Sequence, residues 1–340
     1  MTGKVMVRRL LQTWGFVIYL LVPTSIVSYL ISPDLVELGI FAAAVGALAT
    51  LMQQSWRVGL WQVCIFAVLG YLAALASPYP VLGGLLMAAC GVALGICSRW
   101  AWQYSAFLMP ILLIAILINP IPATQADVTA HTLATQGGGI AVSTFFVLLA
   151  AGLLSLLLCI PILHHMNKKH APMKLPGLAP EVSWYYAILL GILLGLATWF
   201  VLAYERVPDM SWLLLTLVLL LNPTSKLSTK KAIVRTVGTL VGSLIAVLIA
   251  LIPSHGVVVV ITILLTGAAT VVVFDTANRY WLWIVLWTPS IILLTSQSTN
   301  IIAATEFRLG MTVVAGAIVL GIAFAVLKLH PKRLHEVGFV

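Results

Sequence analysis

Long apolar runs, cut by short polar segments, make up most of this chain. The runs lack the three-and-four stripe of a helix that is wet on one side. They are apolar all the way round, for roughly 16–20 residues each, close to the length that crosses a hydrocarbon core about 30 Å thick. The pattern predicts twelve spans, over roughly 14–31, 36–53, 59–77, 81–97, 104–119, 138–162, 184–203, 211–222, 233–252, 257–274, 281–295 and 307–328. The first follows Lys4, Arg8 and Arg9. It is like a signal sequence, but no small-residue cleavage site follows, so it is read as a retained first helix. The fold class expected is an all-α polytopic membrane protein.

Composition agrees with lipid as the solvent. Of the 340 residues, 62% are hydrophobic and 8% charged, against about 25% charged in a soluble domain. Cys64, Cys90, Cys97 and Cys159 all fall inside apolar runs, with no metal spacing, and are read as small buried hydrophobes. The net charge of +9 would suggest nucleic acid in a soluble protein. Here topology explains it. With the N-terminus in the cytoplasm, the cytoplasmic connections hold Arg57, Arg99, Lys168, Lys169, Lys174, Lys226, Lys230, Lys231 and Arg279, and the C-terminal tail holds Lys328, Lys332 and Arg333. The opposite side holds Arg206 and Arg308, with Asp34, Glu37, Asp127, Glu205, Asp209 and Glu306. That asymmetry is the positive-inside pattern, with both termini cytoplasmic and no nucleic-acid partner needed.

The punctuation repeats. Ser32–Asp34 reads SPD before the second span and Val207–Asp209 reads VPD before the eighth, and Pro78 and Pro253 stand at equal distances beyond. Arg99 precedes Pro110 much as Arg279 precedes Pro289. The expected organisation is two parallel six-helix repeats, 1–162 and 183–340, about an axis along the membrane normal, joined by a cytoplasmic linker at 163–182. Aromatic residues collect at span ends: Trp100, Trp102 and Tyr104; Trp184, Tyr185 and Tyr186; Tyr280, Trp281 and Trp283. An interfacial belt is the plain reading, and a stacking surface for an aromatic ligand the other.

The densest polar chemistry is NPTSKLSTKKAIVRTVGTLVG, Asn222 to Gly242. The eighth span before it, Ser211 to Asn222, would reach only about 18 Å as a helix. Pro223 lacks an N–H, and Thr224, Ser225, Ser228 and Thr229 can satisfy freed backbone groups, so the segment reads as a helix break at membrane depth or as an ordinary cytoplasmic loop. A short, proline-interrupted span points to a transport site. In the ninth span Arg235, Gly238, Gly242 and Ala246 share one face. Gly238 and Gly242 form a small-xxx-small packing pair. Arg235 either snorkels to the cytoplasmic surface or receives an anionic solute, with Lys226, Lys230 and Lys231 widening a positive funnel. The last span carries Arg308, Thr312 and Gly316 at spacings of four, with Glu306 as the carboxylate for proton coupling, a role that requires burial, or as one half of an interfacial ion pair. The first-half counterpart, LMQQSWRVGLWQVC, lacks these cations. Asp275, Asn278 and Arg279 read as a structural polar turn, and His164, His165 and His170 as a solvated basic run.

A Trp–Leu–Leu–Leu–Thr span followed by this motif resembles the fusaric-acid-resistance-like superfamily, which includes aromatic acid exporters. The matching positions are Trp212, Thr216, Pro223, Ser225, Arg235, Gly238, Thr239 and Gly242. The clear motif covers about forty residues of the second half, and the six-helix unit used twice is similar in layout. Many bacterial relatives carry a large cytosolic domain that this chain replaces with a short linker. The resemblance implies proton-powered export of small organic acids across a bacterial inner membrane, beside a periplasmic adaptor of the membrane-fusion type. It places Trp212, Thr216, Ser225 and Arg235 on the substrate path, to which the charge pattern adds Lys226 and Arg308. An anion channel and a non-transporting assembly subunit are the alternatives. No Walker-type phosphate loop occurs and no nucleophile–base or metal constellation is found, so an enzyme is not expected and no cofactor is called for. A homo-oligomer through glycine-rich faces is left open.

Overall fold

A computed structural model describes residues 3–118, 130–169, 177–204, 214, 217, 229–252, 257–258, 260–262, 264–265, 268–269, 280–295, 306, 310–318 and 321. Among these the chain is helical, with no strand. The principal helices are α1 (Gly3–Ile31), α2 (Val36–Met52), α3 (Trp56–Ala76), α4 (Pro80–Cys97), α5 (Gln103–Ala106), α6 (Leu108–Ile118), α7 (Ala130–Lys169), α8 (Pro180–Tyr204), α9 (Thr229–Ala250) and α10 (Tyr280–Thr295). Among the described residues five stretches are long and apolar enough to cross a membrane: Pro33–Met52, Trp56–Ala76, Pro80–Trp100, Gly138–His165 and Pro180–Tyr204. Gly15–Ile31, Leu108–Ile118 and Val234–Ala250 are shorter apolar helices. The protein is a multi-pass helical membrane protein.

Proline and hydroxyl residues shape the helix ends. Pro80 and Pro180 open α4 and α8 at the first helical position, where a missing N–H costs nothing. The expected fifth span is two pieces: α5 stops at Ala106 and α6 begins at Leu108, with Pro110 in its first turn. Pro110 cannot donate back across the joint, so the helix restarts there. Within α1, Thr24 Oγ1 donates to Leu20 O at 2.7 Å and Ser28 Oγ to Thr24 O at 2.7 Å, so hydroxyls in an apolar helix find their partners four residues back. The sixth helix is longer than its apolar run. α7 continues through His164 and His165, both exposed, to Lys169. The proposed break in the eighth span lies outside the described residues; Leu214 and Leu217 alone are seen there, helical and buried.

The chain forms two compact units, Tyr19–Thr224 and Met1–Ile18 with Ser225–Val340. In the first unit α2, α3 and α7 pack together, and α4 pairs with α8 over most of their lengths. Ser155 Oγ on α7 donates to Ala43 O on α2 at 2.7 Å, and Ser77 Oγ donates to Leu117 O on α6 at 2.8 Å. Such bonds between helices matter in lipid because no water competes for the carbonyl. The α4–α8 contact is backbone against backbone. A methyl group on Gly91 would lie 2.9 Å from Gly191 Cα, and one on Gly95 would run into the backbone of Ala187. Ser183 Oγ, near the start of α8, donates to Gly95 O at 2.6 Å. The outer faces are apolar: Leu82 and Leu85 on α4 and Ile188, Ile192 and Leu196 on α8 are all exposed, as lipid-facing positions must be.

In the second unit α9 packs on α10. Ala246, Ile292 and Leu293 form a buried cluster, with Ile249, Ala250 and Val258 against it.

Candidate functional site at Arg235

The face of α9 is unambiguous. Arg235, Gly238, Thr239, Gly242, Ser243 and Ala246 are buried, whereas Val237, Leu240, Val241, Leu244 and Leu248 are exposed. Buried positions recur at three and four residues, so one side of the helix meets protein and the other meets lipid. Arg235 lies on the protein side and is 7% exposed. The side chain is therefore not splayed outward toward headgroups. A guanidinium inside a membrane protein costs about 2.5–3.5 kcal/mol on insertion scales, and such residues mark function by default.

Neighbours of α9 show where Arg235 points. A methyl group on Gly238 would meet Ile284 Cγ2 at 3.0 Å, and one on Gly242 would meet Thr288 Cβ at 2.7 Å and Pro289 Cδ at 3.0 Å, so this edge lies against α10. On the other edge, a methyl group on Gly316 would lie 3.6 Å from Thr236 Oγ1, which brings the helix over residues 310–318 to α9. At about 100° per residue, Arg235, Thr239 and Ala246 project within about 40° of one another, between those two edges. Arg235 thus leaves α9 at a position flanked by α10 on one edge and the 310–318 helix on the other. Small residues make that geometry: the two glycines let α10 approach closely beside the arginine.

Hydroxyls continue down the same seam. Thr239 is 7% exposed and Ser243 1%. Ser243 Oγ has no hydrogen-bond partner among the described residues. Thr312, on the 310–318 helix, is also buried, as is Ser290 of α10, whose hydroxyl donates to Leu286 O at 3.0 Å. About 16 Å beyond Arg235, counted along eleven residues of helix, Ala246 closes the seam in the apolar cluster with Ile292 and Leu293. A buried cation with hydroxyls following it on the protein side of the helix is chemistry that suits an anion.

Arg235, Gly238 and Gly242 are thus brought together, with Thr239. Trp212, Thr216, Ser225, Lys226 and Arg308 lie outside the described residues. Glu306 is helical and exposed, without the burial that proton coupling would ask of it. The Arg308, Thr312 and Gly316 face is seen in part: Thr312 and Gly316 are both buried. Ser243 was not anticipated. Its signal was present, since it stands four residues after Thr239 and eight after Arg235, but it falls outside the motif that drew attention. The aromatic clusters are mixed: Trp100, Trp184, Tyr185 and Trp281 are exposed and Tyr186 is buried, while Arg99 sits over the Trp184 ring at 5.4 Å.

As a class, the chain is a helical membrane protein with a buried cation on a glycine-packed helix. The particular likeness follows. Residues 192–322 match the family model described as fusaric acid resistance protein-like, a stretch that contains α9, α10 and the 310–318 helix. Over these residues the chain is similar to that family, as its motif implied. No curated protein and no solved structure matches it.

Proposed function

We propose that the protein exports small amphipathic organic acids, aromatic ones in the first place, across a bacterial inner membrane, and that Arg235 receives the carboxylate. The observation that carries this is the burial of Arg235 on the protein side of α9, between α10 and the 310–318 helix, with Thr239 and Ser243 in line behind it. A charge-assisted hydrogen bond from a desolvated guanidinium is worth about 1.5–3 kcal/mol. Loss of that bond reduces anion affinity at least about tenfold. Lys226, Ser225, Thr216 and Trp212 belong to the entrance in this reading, and Arg308 to the exit. The units of six helices are parallel repeats, and a periplasmic membrane-fusion adaptor is the partner on the outer side. Support for the repeat comes from the sequence, where SPD at Ser32–Asp34 and VPD at Val207–Asp209 are followed at equal distances by Pro78 and Pro253. Arg235→Ala should abolish resistance to an exported acid in cells while the protein stays in the membrane at its normal level. Undiminished resistance at equal protein level would remove Arg235 from the path.

An anion channel is the second reading, and one observation favours it: Glu306, the candidate coupling carboxylate, is exposed. Against it stands the 7% exposure of Arg235. A conducting pore would keep its selectivity cation wet, whereas a carrier hides its site in part of the cycle. Planar-bilayer current that follows voltage and solute gradient, with no response to a proton gradient, would decide for the channel.

A further inference from the structure

α7 outruns the helices that hold it. Its 40 residues make a rod of about 60 Å, against a hydrocarbon core of about 30 Å. In the unit formed by residues 19–224 it packs on α2 and α3. Paired contacts set the register. A methyl group on Gly39 of α2 would lie 3.5 Å from Ala151 Cβ, and Ser155 Oγ donates to Ala43 O at 2.7 Å. The start of α2 at Val36 is therefore level with about residue 148 of α7. The Phe145 ring stands edge-on to the Tyr71 ring of α3, with centroids 6.5 Å apart. The end of α3 at Ala76 is therefore level with about residue 140. The first turns of α7 run past both neighbours, past α3 by about 15 Å.

At the base of this overhang the helix passes through three glycines, Gly137, Gly138 and Gly139. Glycine is, after proline, the poorest helix former. Elsewhere in these helices it has a packing reason: methyl groups on Gly39, Gly46, Gly59, Gly70 and Gly152 would each strike a neighbouring helix. Gly138 and Gly139 are exposed, and a methyl group on either would meet nothing within 4 Å among the described residues. Close packing does not account for them, whereas backbone freedom does. The apolar span of α7 also begins at Gly138, so the glycines stand where lipid gives way to water. Residues 130–136 beyond them read AHTLATQ, with Leu133 the one large apolar residue. So short a piece cannot hold a helix alone in water, where about 12–15 residues are marginal. It is helical by continuing α7 across the glycines.

We infer that Gly137–Gly139 is a hinge, and that residues 130–136 are a lid that swings on it from the axis of α7 onto the end of the α2–α3 pair. The lid is about 10 Å long. Packed helix axes lie about 8–10 Å apart, so the folded lid reaches the end of one neighbour and stops there. Its polar composition suits the water at that end and not the lipid beside it. The hinge is independent of Arg235 and stands whether or not Arg235 carries an acid.

Double electron–electron resonance on the full chain in lipid nanodiscs tests it, with nitroxides on Leu133→Cys and Leu157→Cys and with Cys64, Cys90, Cys97 and Cys159 replaced by alanine. Leu157 is exposed and accepts a label. A straight α7 holds the two positions about 36 Å apart, and a right-angle bend at Gly138 brings them to about 30 Å. With the glycines in place the distribution should include the shorter distance. With Gly137→Ala, Gly138→Ala and Gly139→Ala combined, the longer distance alone should remain. A single distance near the straight-helix value in the presence of the glycines would overturn the inference, as would a distribution that the three alanines leave unchanged. Should the cysteine-free chain fail to fold, amide hydrogen exchange of the chain with its native cysteines decides. Residues 131–136 should then exchange at least about tenfold more slowly once the three alanines are in place, and equal exchange with and without them removes the hinge.

Discussion

Gly242 gives the sharpest test of how α9 is held. A methyl group at this position would lie 2.7 Å from Thr288 Cβ, 3.0 Å from Pro289 Cδ and 3.1 Å from Val285 O. Carbon atoms prefer about 3.5–4.0 Å, so the shortfall is about 0.8 Å or more. None of the obstacles can swing aside: they are a β-carbon, a proline ring and a backbone carbonyl. α9 and α10 must part, at an overpacking cost of about 1–3 kcal/mol. Alanine recovers about 0.5–1 kcal/mol over glycine inside a helix, which leaves Gly242→Ala destabilised by about 1 kcal/mol, the middle of a span of about 0–2.5 kcal/mol. At Gly238 the nearest atoms are Ile284 Cγ2 at 3.0 Å and Ile284 Cβ at 3.2 Å, with Trp281 O at 3.6 Å. The Ile284 β-carbon must give by about 0.3 Å, against about 0.8 Å for the Thr288 β-carbon at Gly242, so Gly238→Ala should cost less than Gly242→Ala, within about 0.5 kcal/mol of the parent once the helix gain of alanine is counted. Thermal unfolding of the purified full chain in one detergent checks both, with a drop of a few degrees for Gly242→Ala and little for Gly238→Ala. Equal stability of Gly242→Ala and the parent, or the reverse order of the two variants, would refute the packing argument.

Other substitutions separate path from scaffold. Ser243→Ala should leave the melting temperature unchanged, because its hydroxyl bonds nothing among the described residues, yet lower acid flux severalfold; unchanged flux takes Ser243 off the path. Ser183→Ala removes the 2.6 Å bond to Gly95 O at the α4–α8 contact and should cost about 1 kcal/mol of stability with flux per folded molecule retained. Ser155→Ala, which loses the 2.7 Å bond to Ala43 O, should behave alike, and a selective loss of flux in either variant would argue against a purely structural role.

Hydropathy made the long helices legible because lipid demands an uninterrupted apolar surface. α2, α3, α4 and α8 fall within a few residues of the predicted runs. Where the solvent changes, hydropathy loses its hold. The N-terminal turns of α1, with Lys4, Arg8 and Arg9, are helical although polar, and α7 runs on to Lys169. Backbone hydrogen bonding continues a helix past the membrane edge, and hydropathy does not report it. At the site, the spacing of Arg235, Gly238 and Gly242 gave the face but not its direction. That required α10 and the 310–318 helix, whose contacts with α9 at Gly242 and Thr236 bring residues far apart in sequence together. The hydrogen bond from Gln62 Nε2 to Ser105 Oγ was illegible for the same reason, since the two residues stand 43 apart in the chain.

The central claim is that the buried guanidinium receives a carboxylate. Flux of labelled benzoate from proteoliposomes containing the full chain, with and without an imposed pH gradient, tests it most directly when run beside Arg235→Ala in matched liposomes. The account predicts saturable efflux that falls at least about tenfold in the variant, whichever way the pH gradient points. Equal efflux from the two proteins, at equal incorporation, would contradict it.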